Sequence, residues 1–166
     1  RPCNTFFGYR YVGVTSSGPV TFGDFRSIPV SSVTKEMERG SIITGDERVN
    51  RLISNIRWSL LSNYLSVPTD CPQRDERLGW TADTQVFMNG AAYLTDTYDF
   101  LRKYLQDLRD GQYDDGLYTC FVPNVRHVFR HWASCGWTDA GVIIPYRLSK
   151  WSRSRKISLP EACAAG

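Results

Sequence analysis

No run in this 166-residue chain approaches the roughly 20 consecutive apolar residues of a membrane helix, so a spanning segment is not indicated. No CxxC pair occurs among Cys3, Cys71, Cys120, Cys135 and Cys163, and the count is odd, so neither a zinc site nor a complete disulfide framework is indicated. No HExxH accompanies His127 and His131, which stand four apart with no nearby carboxylate to complete a ligand set; no metal is expected. The chain starts with neither an initiator Met nor a signal peptide, which reads as a start inside a longer protein and leaves the compartment open. No internal repeat is visible.

What remains is a globular composition. Apolar residues make up 42% and charged residues 22%, which excludes a disordered chain. The net charge of +3 belongs to the end of the chain. Arg147, Lys150, Arg153, Arg155 and Lys156 face Glu161 alone, while the preceding part is nearly balanced. Trp151 is the one aromatic residue interleaved there, too little for nucleic-acid recognition, and the run reads as a solvated end. Aromatic residues reach 13%; some fill a core, and others suit a sugar site, since ring faces stack on pyranose C–H faces.

Two regimes follow along the chain. Residues 1–43 read as β: the run Phe6 to Val14, a turn at Ser16-Ser17-Gly18-Pro19, then Val20 to Val33. So short a β segment cannot close a sandwich alone, and the expectation is the end of a β-domain whose partners lie upstream. At Thr44 the period changes. Thr44 and Glu47 can form a capping box, and Val49, Leu52, Ile53, Ile56, Leu60 and Tyr64 recur at helical spacing, predicting a helix over 46–65. A polar loop covers 66–80. A second helical stretch starts at Thr81, with Asp83 in its first turn, and runs to about 110 with a break near Asp96. Leu94, Tyr98, Leu101, Leu105 and Leu108 form its core stripe. Residues 117–136 are irregular, and a third helix is predicted from Thr138 to Leu148. Trp58 and Trp132 are read as packing residues.

The loop carries the chemistry. Between Asp70 and Asp83 it gathers Asp70, Asp75, Glu76 and Asp83 with Arg74, Arg77 and Trp80, stiffened by Pro68 and Pro72. A surface loop with weak ion pairs is the plain alternative. Yet alternating cations and carboxylates can keep one carboxyl ionised and another protonated. Glycoside hydrolysis asks for that split, one acid for the leaving oxygen and one base for water. Cys71 could act as a nucleophile, but no His is placed to activate it, and a small buried role fits it better.

The string Ser66-Val67-Pro68-Thr69-Asp70-Cys71-Pro72-Gln73-Arg74-Asp75-Glu76-Arg77-Leu78-Gly79-Trp80-Thr81-Ala82-Asp83 closely resembles the signature of bacterial α-L-rhamnosidases of glycoside hydrolase family 78. Flanking stretches, Phe7 to Val12 and Gly136 to Pro145, resemble the family as well, so the likeness extends over about residues 5–148. The resemblance implies an (α/α)6 barrel preceded by β-sandwich domains, and hydrolysis of terminal α-L-rhamnose with inversion. It implies three parts here: 1–43 as the end of a β-sandwich domain, 44–150 as the first part of an incomplete catalytic barrel, and 151–166 as an unassigned tail. Carried over by position, Glu76 is the general acid, Asp70 and Asp83 hold rhamnose, and Arg74 and Trp80 shape the pocket. Trp137 and Asp139 match a second loop near it. Ala82 and Thr84 replace a Gly and an Ala of the pattern, which bears on fine geometry. No cofactor is implied, and the partner is a rhamnose-containing glycan or plant glycoside, with neither nucleic acid nor membrane. The family's general base, a Glu from a later helix–loop unit, has no match, so the expectation is a fragment inactive by itself. A non-catalytic sugar-binding module that kept the pocket and lost the base is the other reading. Oligomeric state, aglycone and linkage stay open.

Overall fold

The computed structural model describes residues 5–21, 23, 26–125 and 132–154. Four helices carry the fold: α1 Glu47–Asn63, α2 Thr81–Leu94, α3 Tyr98–Asp110 and α4 Ala140–Ser154. Two short antiparallel pairs link them. β1 Tyr64–Leu65 pairs with β2 Val67–Pro68, and β3 Gly79–Trp80 pairs with β4 Phe121–Val122. No described helix is long and apolar enough to cross a membrane.

The β reading of residues 1–43 is corrected. No strand occurs among the described residues before β1; a 3-10 turn at Lys35–Met37 and a single bridge from Glu38 to Thr95 stand there instead. Alternation of apolar residues makes a strand only where a neighbouring strand satisfies its backbone. What this segment does is cross the loop: Gly8 lies so close to Pro72 that a Cβ would sit 2.4 Å from the Pro72 carbonyl oxygen. Phe6 gives its carbonyl to Arg77 Nη1 at 2.6 Å and its ring to the same guanidinium, 4.8 Å above the centroid.

The helix period was legible, the caps less so. α1 is capped by Asp46, whose Oδ1 accepts from Arg48 N–H at 2.8 Å. Thr44 and Glu47 do not form the expected box; Thr44 instead donates its N–H to Asn50 Oδ1 at 2.8 Å. Along the α1 stripe Leu60 and Tyr64 are buried and Ile53 and Ile56 half-buried, but Leu52 is 58% exposed, so the apolar face is fully covered only at its C-terminal end. The second helical stretch breaks at residues 95–97. There, Arg39 N–H donates to Leu94 O at 3.0 Å and Asp96 N–H to Met37 O at 2.7 Å. The third helix begins later than predicted, at Ala140, and continues to Ser154.

One core forms where α2, α3 and α4 meet, with Met88, Leu101, Tyr104, Leu108, Ile144 and Leu148 inaccessible or nearly so. Each such side chain contributes about 1.5–3 kcal/mol by leaving water. A second cluster, Val33, Leu60, Tyr64 and Ala91, ties α1 to α2. Tyr64 stacks on Phe100 at 4.6 Å between centroids and meets Phe87 edge-on. Trp58 is 64% exposed, which corrects its packing role. His127 and His131, with most of the tail, lie outside the described residues.

Candidate active site

The 66–80 loop is pinned at its base before it presents any side chain. Asp70 and Leu78 close it: Asp70 N–H donates to Leu78 O at 3.2 Å, and Leu78 N–H donates to Asp70 Oδ1 at 3.1 Å. Beyond them, β3 pairs with β4, and the buried Tyr104 hydroxyl donates to Gly79 O at 2.8 Å. Gly79 admits no side chain, since a Cβ would lie 2.4 Å from Val122 O. Arg77 sits at φ 54°, a left-handed conformation unusual for a non-glycine residue. Its guanidinium is anchored on Phe6 O and, at 3.1 Å, on Asp75 Oδ1.

Within this frame Glu76 has a partner on each oxygen. Trp80 Nε1–H donates to Oε1 at 3.0 Å, and Arg74 Nη2 lies 2.5 Å from Oε2. Arg74 also stands 3.7 Å from Asp70 Oδ2. Its pKa is raised, first by a hydrogen bond with Cys71 and then by the charge of Glu76. The arginines therefore divide their work: Arg77 serves Asp75, whereas Arg74 bridges Glu76, Asp70 and Cys71. Ligand atoms of Asp70, Cys71 and Glu76 lie within 4.8 Å of one another. The Arg74 guanidinium already supplies a cation to this group. Cys71 is buried, as a small packing residue would be.

Asp70, Asp83 and Trp137 line one open cavity of about 470 Å³ at the N-terminal end of α2. A volume of that order fits a sugar-sized ligand. Asp83, in the first turn of α2, stays exposed, yet the protein around it withdraws enough water to raise its pKa; the charges of Asp70 and Glu76 add to the rise. Trp137 arrives from the other end of the chain, on a turn over 134–139. Asp139 does not join the carboxylates lining the cavity. Its Oδ2 accepts from Gly136 N–H at 3.1 Å, within its own turn. Trp132 is 46% exposed and tilts against Trp137 at 6.3 Å between centroids, so it is not packed in a core.

Sequence reasoning did not single out Ser59, Asn63, Tyr64, Thr69 or Phe87, which also line the cavity. Asn63 is locked by Thr69, whose hydroxyl reaches both Asn63 O and Oδ1. Burial raises the Tyr64 phenol pKa. For Ser59, Asn63 and Tyr64 the available signal was position, at the helix end that leads into the loop.

The profile of the family described as bacterial alpha-L-rhamnosidase 6 hairpin glycosidase domain matches residues 37–157. An alpha-L-rhamnosidase of Alteromonas sp. (strain LOR) is 34% identical over 162 residues, covering 94% of this chain and 17% of its own length. One from Streptomyces avermitilis is 42% identical over 161 residues, covering 95% of this chain and 15% of its own. Among solved structures, the Streptomyces avermitilis alpha-L-rhamnosidase complexed with L-rhamnose superposes with a TM-score of 0.58 at 49% identity, over 63% of this chain and 10% of that one. The native Aspergillus terreus enzyme gives 0.63 at 39% identity, over 68% and 13%. The chain thus spans about a sixth of the length of the curated relatives it matches.

Proposed function

This chain belongs to the family of bacterial α-L-rhamnosidase six-hairpin glycosidase domains, and on that premise we propose that the protein carrying it hydrolyses terminal α-L-rhamnose from a glycan or plant glycoside with inversion at the anomeric carbon. Residues 44–150 form the first part of an (α/α)6 barrel.

The observation that carries the proposal is the convergence of Asp70, Asp83 and Trp137 on one cavity, with Glu76 beside Asp70. Two carboxylates with an aromatic wall bind sugar hydroxyls and a C–H face together. Glu76 takes up a proton from solvent at Oε2 and gives it to the glycosidic oxygen as the bond to the anomeric carbon breaks. To do so it must release Arg74 from Oε2, and Asp70 stands close enough to take that guanidinium over. Trp80 holds the other oxygen and fixes the carboxyl plane. A water attacks from the opposite face, its proton taken by a second carboxylate about 6.5–9.5 Å from Glu76. No residue of this chain matches the family's general base, so the chain by itself should bind rhamnose without turning it over.

The test is an NMR time course on an α-L-rhamnoside with the protein that carries this chain. β-L-Rhamnose as the first product supports the proposal. The α anomer appearing first refutes inversion. Rhamnose binding with no hydrolysis would favour a sugar-binding module instead.

A further inference from the structure

Trp137 is 54 residues beyond Asp83 in sequence, yet both line the same cavity. Its place depends on the 134–139 turn, and that turn is held from outside by the first turns of α2. Thr81 is fully buried, and its hydroxyl lies 2.7 Å from Trp137 O and 2.9 Å from Cys120 O. The Thr81 N–H already serves Cys120 O at 3.0 Å, so the hydroxyl proton is available to Trp137. One helical turn on, Gln85 Nε2 donates to Gly136 O. Rotating that amide would set oxygen against oxygen, so the donor assignment is fixed by its partner. Gln85 Oε1 is buried with no hydrogen-bond partner, a cost that a residue kept only for packing would not carry. The Gln85 backbone carbonyl accepts from Arg147 Nη1 at 2.7 Å, which fastens α4 to the same point.

The turn's own hydrogen bonds are joined by two from α2. Gly136 has φ +84°, and Trp137 N–H and Thr138 N–H both converge on Ser134 O. Two consecutive carbonyls, those of Gly136 and Trp137, are therefore clasped by two side chains four residues apart on one face of α2. Asp83, between them in sequence, projects from another side of the same helical turn toward the cavity.

We infer that Thr81 and Gln85 are positioning residues that set the Trp137 wall of the cavity against the carboxylates Asp70 and Asp83. This rests on the function proposed above. Neither residue touches the sugar. Both act through the Trp137 backbone, and so through ground-state binding more than through the chemical step.

The experiment uses the protein that carries this chain, with Thr81→Val, Gln85→Met, Thr81→Ser and Trp137→Ala, alone and as Thr81→Val/Trp137→Ala. The expected result is a KM for an α-L-rhamnoside raised roughly tenfold in Thr81→Val and Gln85→Met with kcat little changed, as for a displaced binding group. Thr81→Ser should restore the original KM. In the Trp137→Ala background Thr81→Val should add nothing, because both act through one group. Thr81→Ser keeps the fold testable if the valine variant fails to fold, because it should also leave the indole N–H resonance of Trp137 where it is. Gln85→Met should move that resonance. Variants that melt lower but keep KM, or that raise KM equally with and without Trp137, would overturn the inference while leaving the function standing. An unaltered protein that neither binds nor cleaves a rhamnoside would remove both.

Discussion

Glu76 and Trp80 are joined by a hydrogen bond of 3.0 Å from the indole N–H to Oε1, between the tip of the loop and the strand that ends it. The bond orients the carboxyl but leaves Oε2 to Arg74 alone. Asp75, the adjacent carboxylate, has a fully exposed side chain and points to Arg77. These neighbours in sequence therefore have separate surroundings. In the full-length protein we expect Glu76→Gln to lower kcat about 10²–10⁴-fold on alkyl rhamnosides. The loss should be much smaller on nitrophenyl rhamnosides, whose leaving group needs little proton help. Asp75→Asn should stay within about twofold, as an exposed pair contributes little. Steady-state kinetics on paired substrates decides; the reverse pattern would make Asp75 the acid.

Arg74 bridges Asp70, Cys71 and Glu76, and its reach depends on guanidinium geometry. Arg74→Lys keeps the charge but loses the fork. Rhamnose affinity should fall about tenfold or more, in line with loss of a charge-assisted bond worth about 1.5–3 kcal/mol. Cys71→Ala should leave turnover nearly unchanged. Calorimetric titration with L-rhamnose measures the first, and a rate assay the second. A Cys71→Ala variant without activity would revive the nucleophile reading.

Gly79 marks where the site loop passes against β4. A methyl group there meets Val122 O at 2.4 Å and the Tyr104 ring at 3.3 Å. Backbone cannot yield as a side-chain tip can, so Gly79→Ala should cost about 1–3 kcal/mol, the range of overpacked cores. Tyr104→Phe removes the donor to Gly79 O and should cost about 1–2 kcal/mol. Urea unfolding of each variant gives both values; a Gly79→Ala protein as stable as its parent would mean the loop does not pack as described.

The candidate loop stands out in sequence because its residues are close along the chain and their string resembles a family signature; the residue types alone fit a surface loop of ion pairs as well. The stripes of α2 and α3 were legible because burial enforces their period. The α1 stripe had the same period, but periodicity tells only that a face is apolar, not what covers it: Leu60 is buried and Leu52 is not. Asp46 took the cap from Thr44 because both can accept an amide, and local sequence does not rank them. The resemblance puts Asp139 near the pocket, and local sequence does not show that its Oδ2 caps Gly136 N–H within its own turn. The clasp of Gln85 on Gly136 spans 51 residues and left no local trace. The β reading of the first 43 residues failed for a related reason, since pairing depends on a partner and not on the strand's own pattern.

Asp83 gives the last expectation, on pH. Loss of water around its carboxylate, reinforced by Asp70 and Glu76, raises its pKa above the value in the unfolded chain. The folded state therefore holds the Asp83 proton more tightly than the unfolded state does. Its contribution to stability is most favourable below the unfolded pKa. It declines as pH rises from there through the raised folded value, and is constant above it. Replacing Asp83 by Asn removes that decline. Relative to the parent, Asp83→Asn should gain stability as pH rises through the carboxylate range, then keep a constant small advantage at neutral pH. The gain is small because the group is exposed and water screens it. Rhamnose affinity should move the other way, since the amide loses an ionised acceptor for sugar hydroxyls, and the parent's own affinity should fall as acid protonates Asp83. A residue whose removal stabilises the fold while weakening the ligand is kept for binding. Parallel urea melts and rhamnose titrations between about pH 3 and pH 8 span the window set by ordinary carboxylate values and the upward shift. A variant less stable than its parent at neutral pH would show that Asp83 supports the fold and not the site.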